Sequence, residues 1–243
     1  MSRLDDELIV RDAARRLYGD GQPIWDPKDR WNSYKRASIS AFCSRHASHL
    51  LSEAEAILDA GCGSEAYPWM PERSICLDRH FLQTRAKSNG VVGDLCSLPF
   101  EKGSFDFVVC VASVLNYVSA IEAISEVSRV LRPGGHLILH YETSTSFEHV
   151  LKSTWGMPVA RTETINGGRP DTLWVYRPSY ITTILRGARL QGRKVQRFHI
   201  ASALGLRIGL GQQTSAKFAV LDPFVQRLGM FADDVIILAE KLA

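Results

Sequence analysis

The chain has 243 residues, 45% hydrophobic and 23% charged, with a formal net charge of +3. That is an ordinary globular balance, with enough apolar material for one sizeable core and no need of cross-links. The five cysteines, Cys43, Cys62, Cys76, Cys96 and Cys110, are dispersed with no C-x-x-C pair, and only Cys43 has a histidine close by, His46. Buried reduced thiols are expected, with no disulfide framework and no metal. No apolar run is long enough to span a bilayer. The N-terminal Met-Ser-Arg-Leu-Asp-Asp-Glu has no apolar stretch behind it, so no signal peptide and a cytoplasmic location are expected. The charge is unevenly spread. Residues 1–150 hold 16 Lys/Arg against 20 Asp/Glu, and residues 151–232 hold 12 against 3. The net +9 of the later segment suits either a solvated Arg-rich face or an anionic substrate or surface.

Residues 1–32 read as mixed and polar, with a loop at Gly19-Asp20-Gly21-Gln22-Pro23 and aromatics at Tyr18, Trp25 and Trp31. A helix is predicted from about 33 to 51, because Ile39, Phe42, Cys43 and Leu50 roughly share a face. Strands follow at 56–60, 74–77, 90–92 and 105–112. Ser119 and Glu122 have capping-box spacing, and Ala120, Ile124, Val127 and Leu131 then recur on one helical face until Pro133-Gly134-Gly135. A fifth strand is predicted at 136–141. Strands that alternate with helices imply an α/β fold with right-handed crossovers and a parallel sheet. Beyond Ser144, residues 159–165 and 172–176 flank Asn166-Gly167-Gly168-Arg169-Pro170-Asp171 as an inserted hairpin. A helix over 179–190 and strands over 195–200 and 235–239 complete the order.

Four features fall at or near the ends of successive strands: Asp59-x-Gly61-x-Gly63, Asp78, Gly93-Asp94-Leu95, and the run from Phe105-Asp106 to Ala112-Ser113. In an open parallel sheet, ligands bind beyond the carboxyl ends of the strands. Glycines there allow tight turns and close approach. Asp78 can accept from two ribose hydroxyls, and Asp94 from an exocyclic amine such as adenine N6.

The order Ile57-Leu58-Asp59-Ala60-Gly61-Cys62-Gly63, Leu77-Asp78, Gly93-Asp94-Leu95-x-x-Leu98-Pro99-Phe100, Phe105-Asp106 and Val130-Leu131-Arg132-Pro133-Gly134-Gly135 resembles the class I S-adenosylmethionine-dependent methyltransferases. It is most similar to the small-molecule subgroup called methyltransferase type 11, over residues 57–140. The resemblance implies a Rossmann-like seven-stranded, mostly parallel sheet with an antiparallel last strand, helices on both faces and small cap insertions in the C-terminal half. A single domain over 1–243 is expected: a helical segment over 1–50, a cofactor-binding core over 51–144, and substrate caps over 145–180 and 201–232. The implied cofactor is S-adenosylmethionine, with S-adenosylhomocysteine as product. Asp59, Gly61, Cys62 and Gly63 would serve its methionine part, Asp78 with Arg79 beside it the ribose, and Asp94 with Leu95 the adenine. Val111, Ala112 and Ser113 would line the methionine portion, with Tyr18 and Tyr34 closing over the cofactor.

A dinucleotide reading competes, since Gly61-Cys62-Gly63-Ser64-Glu65-Ala66 satisfies G-x-G-x-x-A. Pyrophosphate, however, needs the N-terminus of a following helix, and Pro68 disfavours helical geometry at Tyr67. Methyl transfer is the stronger reading. His140 and Asn116 are the candidates for proton removal, with Tyr117, Tyr141, Glu142 and His80 nearby. The expected partner is a small molecule, most simply an oxygen nucleophile, and the basic C-terminal third suggests an anionic one. Nucleic acid is disfavoured, because no Asn-Pro-Pro-aromatic motif follows the fourth strand and no aromatic platform interleaves the basic segment. For residues 201–232 a cap packed on the sheet is favoured over a membrane-surface contact. A catalytically silent cofactor-binding subunit is the alternative of a different class.

Overall fold

The computed structural model describes residues 3–19, 26, 28–166 and 168–243. Asp20 to Pro23, Trp25 and the hairpin residue Gly167 lie outside the described residues. Seven strands form one sheet: β1 (Ile57–Ala60), β2 (Ile75–Asp78), β3 (Gly90–Val92), β4 (Phe105–Cys110), β5 (Leu131–Glu142), β8 (Leu190–Phe198) and β9 (Asp234–Lys241). Their order is β3-β2-β1-β4-β5-β9-β8. The first five are mutually parallel, and β9 runs antiparallel to both β5 and β8. The inserted hairpin, β6 (Val159–Asn166) and β7 (Arg169–Tyr176), is a separate two-stranded sheet.

Successive side chains of the central strands bury on opposite faces, as the period of two demands. Val108 and Cys110 of β4, Leu137, Leu139 and Tyr141 of β5, and Val235, Ile237 and Ala239 of β9 pack in one core with Ile124 and Val127 of α5 (Ala120–Val130). Phe107, Val109, Ile138, Ile236 and Leu238 pack in the other with Ile39, Phe42 and Cys43 of α2 (Arg30–His46) and Leu51 of α3 (Ser48–Glu53). The helix predicted over 33–51 is therefore two helices, divided at Ala47.

Three further sequence expectations are corrected. Residues 1–32 are not simply polar. Arg3–Tyr18 is a helix, α1, that buries Val10, Ala13, Ala14 and Leu17, an i, i+3, i+4, i+7 stripe. Ser119 does occupy the N-cap of α5, but its side chain makes no capping hydrogen bond. The strand predicted at 195–200 begins earlier, at Leu190, because it pairs with β9 along its whole length. Asp106 stands at the entry of β4, away from the ligand ends. Its carboxylate accepts from the Glu55 and Ala56 amides and pairs with Arg132 at 2.6 Å, so it ties strand entries together.

After β5 the chain builds a roof over the carboxyl ends of the strands. Asn116 donates to the carbonyls of Glu142 and Trp174 and accepts from the Glu142 amide, joining β7 to the tip of β5. Residues 201–232 form α7 (Ile200–Arg207), α8 (Gln212–Ser215) and two 3₁₀ turns. This segment is anchored by Asp222, whose carboxylate accepts from the Ile200 and Ala201 amides and from the Tyr34 hydroxyl. Its outer face leaves Val220, Phe224 and Met230 exposed. Among the described residues, no helix is long and apolar enough to cross a membrane.

Candidate active site

At the ends of β1, β2 and β3 the chain folds into an open cleft with a cavity volume of about 120 Å³. The glycine turn makes its floor. Gly61 (φ 83°) and Gly63 (φ 56°) both adopt left-handed backbone, and a Cβ on Gly61 would overlap the Val114 methyls. The Gly61 and Cys62 amides donate to the Leu77 carbonyl at 2.7 and 3.1 Å. The Gly63 amide donates to Asp78 Oδ2 at 3.1 Å, and the His80 amide to Oδ1 at 2.9 Å. Asp78 thus holds the glycine loop as well as facing the cleft. Asp94 accepts from the Cys96 amide and pairs with Arg79, and its carboxyl is held below the usual range. Burial pushes that carboxyl up, and these hydrogen bonds outweigh it.

Asp59 is buried, lines the cleft and has no hydrogen bond or ion pair to its carboxylate among the described residues. Burial, helped by Cys76 and Asp78 against Lys87, pushes its carboxyl up to about 7. Leu95, Val111 and Ala112 line the same cleft, as do Cys62, Arg79 and Tyr18. Cys62 is buried there, and a hydrogen bond with Cys76 together with burial pushes its thiol well up. No helix follows the glycine loop before β2, so the helix dipole that pyrophosphate needs is missing among these residues.

Tyr34 is the exception. Its hydroxyl turns away to Asp222 at 3.2 Å and its ring packs against Phe198 and His199. The position on α2 that does face the site is the next one, Lys35.

A second chamber adjoins the cleft and shares Tyr18, Ala112 and Tyr117 with it. The Tyr18 and Tyr117 hydroxyls are 3.0 Å apart at this junction, Asn166 donates to Tyr18 at 2.8 Å, and Tyr117 donates to Asp171. Burial pushes both phenols and the Asp171 carboxyl up. The chamber wall carries Glu142, Glu148, Asp171 and Asp233, with Lys35 its cation among the described residues. The basic surplus of residues 151–232 lies elsewhere: Arg177, Arg186, Arg207, Lys217 and Arg227 are all exposed. The charge that suggested an anionic acceptor therefore does not line this chamber.

Behind the wall lies a charged network with no opening to either cavity except through Lys35, Ser113 and Glu142. Lys35 Nζ is 2.6 Å from Glu142, 3.2 Å from Asp234 and 3.2 Å from Ser113 Oγ. Burial pulls Lys35 down, but Asp234, Glu142 and Asp233 raise it above its ordinary value. Asp234 also lies 2.9 Å from His140 Nε2 and 2.6 Å from His199 Nδ1. Burial pushes its carboxyl up, yet Lys35 and the two histidines hold it well below the usual range.

His140 and Asn116 are both fully buried and line neither cavity. Neither borders a space where an acceptor would sit, so their placement gives no support to the expectation of direct proton removal. His140 Nδ1 accepts the Ser113 amide at 3.0 Å, which places its proton on Nε2, toward Asp234. Burial pulls its pKa down. Ala112 and Ser113 have φ of 61° and 65°, a strained conformation for non-glycine residues. His140, Glu142 and Lys35 hold that strained turn where the two cavities meet.

Lys35, Asp171 and Asp233 were not singled out from the sequence. Lys35 had a signal: it precedes Ile39, Phe42 and Cys43 on the buried face of α2. Asp233-Asp234 opening an apolar strand was another. Asp171 had none, because its place depends on how the hairpin docks.

Residues 58–139 match the methyltransferase domain family. This matched segment runs from β1 to β5 and carries the glycine loop, Asp78 and Asp94. The chain is 35% identical over 119 residues to the malonyl-[acyl-carrier protein] O-methyltransferase of Herminiimonas arsenicoxydans, covering 42% of this chain and 43% of that one. Its fold is shared with geranyl diphosphate C-methyltransferase of Streptomyces coelicolor A3(2), whose structure holds Mg²⁺, geranyl diphosphate and S-adenosyl-L-homocysteine. That match has a TM-score of 0.59 at 15% identity, over 96% of this chain and 98% of the other. The 1,6-didemethyltoxoflavin-N1-methyltransferase of Burkholderia thailandensis, with its substrate and S-adenosylhomocysteine bound, matches at a TM-score of 0.57 and 14% identity, over 100% and 92%. The chain spans between 27% and 59% of the length of the first curated relatives it matches.

Proposed function

We propose that this protein is a methyltransferase that moves a methyl group from S-adenosylmethionine to a hydroxyl of a small molecule held in the second chamber. The observation that carries this is the meeting of two cavities at Tyr18, Ala112 and Tyr117. The cleft fits the cofactor: two left-handed glycines leave room for close approach, and Asp59 is a buried carboxylate lacking a partner among the described residues. Asp59 would hold the methionine amino group, Asp78 the ribose hydroxyls, and Asp94 with Leu95 the adenine. When bound, the cofactor supplies an electrophilic methyl on a sulfonium that is itself the leaving group.

The protein's part is alignment, exclusion of water and removal of one proton. The phenols of Tyr18 and Tyr117 border the passage between cavities and remain neutral. With the methyl accepted by the hydroxyl oxygen, the acceptor's proton would pass to Asp171, which lines the chamber. The raised pKa of that carboxyl makes it a better base near neutral pH than an exposed aspartate. Tyr117 fixes its orientation. The acidic wall favours a neutral polyhydroxylated acceptor over a free anion.

Turnover of methyl-labelled S-adenosylmethionine against neutral and anionic hydroxylated acceptors tests the reading. Asp171→Asn is expected to lower kcat by about 100-fold while S-adenosylhomocysteine affinity stays unchanged. Unchanged kcat in Asp171→Asn would remove the proton-transfer assignment. Tight product binding with no transfer to any acceptor would favour a silent cofactor-binding subunit.

A further inference from the structure

One group of side chains on the wall of the second chamber has no role in methyl transfer as derived above. The loop leaving β5 forms a short 3₁₀ turn at Phe147–His149, capped by Ser146. Beside it comes Asp233, at the start of β9. Its backbone is fixed by the Thr143 amide donating to its carbonyl at 2.7 Å and its own amide donating to the His199 carbonyl at 3.3 Å. The antiparallel pairing of β5 with β9, which sets Glu142 opposite Asp234, brings these distant segments together.

The result is a cluster of Glu148, His149 and Asp233 whose ligand atoms all lie within 4.8 Å of one another. Two of its members are buried with a ligand atom that makes no hydrogen bond among the described residues. Asp233 is 5% exposed, and among the described residues its carboxylate has neither a hydrogen bond nor an ion pair. His149 is 2% exposed, and its Nδ1 has no hydrogen-bond partner. Glu148 and Asp233 both line the chamber. Glu148 uses Oε1 for Lys152 at 3.1 Å, leaving its second oxygen available to the cluster. A buried carboxylate and a buried imidazole are costly to leave unpaired. Here they face each other across a gap that opens on a cavity.

We infer that Glu148, His149 and Asp233 form a binding site for one divalent cation in the acceptor chamber. Two carboxylate oxygens and one imidazole nitrogen select a first-row transition ion of the Mn²⁺ or Zn²⁺ class over Ca²⁺, which prefers all-oxygen cages. Bonds of about 2.0–2.2 Å require the three side chains to close inward slightly, which side-chain torsions allow. Three protein ligands leave positions open, the pattern of a site that receives a substrate atom and not of a structural closure. On the methyl-transfer reading, which this role rests on, the open positions take the acceptor's oxygens and make its hydroxyl more acidic. The cation would also neutralise much of the acidic wall, so an acceptor with two neighbouring oxygens becomes the best fit. The absence of a cysteine-based motif says nothing against such a site, because its ligands come from two segments far apart in the sequence.

The full chain, stripped with chelator and dialysed, is titrated with MnCl₂ and separately with ZnCl₂ by calorimetry. Bound Mn²⁺ is also followed by the loss of its free-ion paramagnetic resonance signal. Each titration is run alone and with S-adenosylhomocysteine. One ion per chain is expected, with affinity lowered at least about 100-fold in Asp233→Asn and in His149→Gln. Asp233→Asn is further expected to raise the melting temperature of the stripped protein, since it removes an uncompensated buried carboxyl, and to abolish the rise that Mn²⁺ causes in the wild type. That readout separates loss of the site from loss of the fold. No stoichiometric binding by a wild type that still binds S-adenosylhomocysteine overturns the proposal, as does equal Mn²⁺ affinity in wild type and Asp233→Asn. Ion binding without any S-adenosylhomocysteine binding would sustain the site and defeat the cofactor reading instead.

Discussion

Replacing Asp59 by asparagine perturbs the cleft in a way that separates stability from ligand binding. The Asp59 carboxyl moves from 3.8 to about 7, chiefly through burial. Each pH unit of such a displacement corresponds to about 1.36 kcal/mol, so ionised Asp59 costs the ligand-free fold roughly 4 kcal/mol at pH 8. Because the folded-state pKa is raised, the folded state binds the proton more tightly than the unfolded chain. The stability linked to it is present below about pH 4 and is lost progressively as pH rises to about 7. Asparagine keeps the shape and removes the ionisation. For a chain of this size 1 kcal/mol is worth about 2–4 °C, so Asp59→Asn is expected to raise the ligand-free Tm by roughly 8–16 °C at pH 8. The difference should shrink as the pH falls and vanish only below about pH 4. Binding should respond oppositely. A cationic amino group favours ionised Asp59, so wild-type affinity for S-adenosylhomocysteine is expected to rise between pH 6 and 8. Near pH 7, where the carboxyl is about half protonated, binding releases about half a proton, measurable by calorimetry in buffers of different ionisation enthalpy. Asp59→Asn should bind more weakly, with no proton release. Parallel Tm–pH curves for the two proteins, or proton release that survives the substitution, would refute the assignment of the buried charge.

Two further substitutions probe the turns around the site. Gly61→Ala is expected to lower stability by about 1–3 kcal/mol and to abolish cofactor binding, because φ of 83° is strained for alanine and its Cβ would overlap Val114; near-normal S-adenosylhomocysteine affinity in calorimetry would show that the turn is not a tight cradle. His140→Ala should destabilise the protein by about 3 kcal/mol, read by denaturant unfolding, since it strips a partner from buried Asp234 and frees the strained Ser113 turn. Loss of activity in that variant should track misplacement of Ser113, so the pH profile of kcat keeps its wild-type shape; a displaced acid limb would restore His140 to the chemistry.

The cofactor half was legible in the residues for a local reason. Asp59, the glycines, Asp78, Asp94 and Leu95 occupy consecutive strand ends, and in a parallel sheet consecutive strand ends become one rim. Ten of the residues assigned to the cofactor from sequence, all but Tyr34 and Ser113, line a single cleft together with Tyr18. Tyr34 failed because a helix rotates by about 100° per residue. A one-residue difference sends Tyr34 to Asp222 and Lys35 to Glu142. His140 and Asn116 failed because nearness to a strand end does not say which side of the sheet a polar group serves.

The sequence by itself determined the sheet, its glycine turn and the order of carboxylates that a nucleoside ligand meets, since each depends on a short stretch and its period. Only the tertiary structure decided the acceptor side. Asp171 arrives on a docked hairpin, and Lys35 on a helix that crosses the sheet. Asp233 comes from a strand added antiparallel at the far side of β5, where it faces Glu148 and His149. These positions rest on long-range packing, which no local spacing records. The overall charge misled for the same reason: net charge counts residues, whereas a chamber is charged only by those that face it.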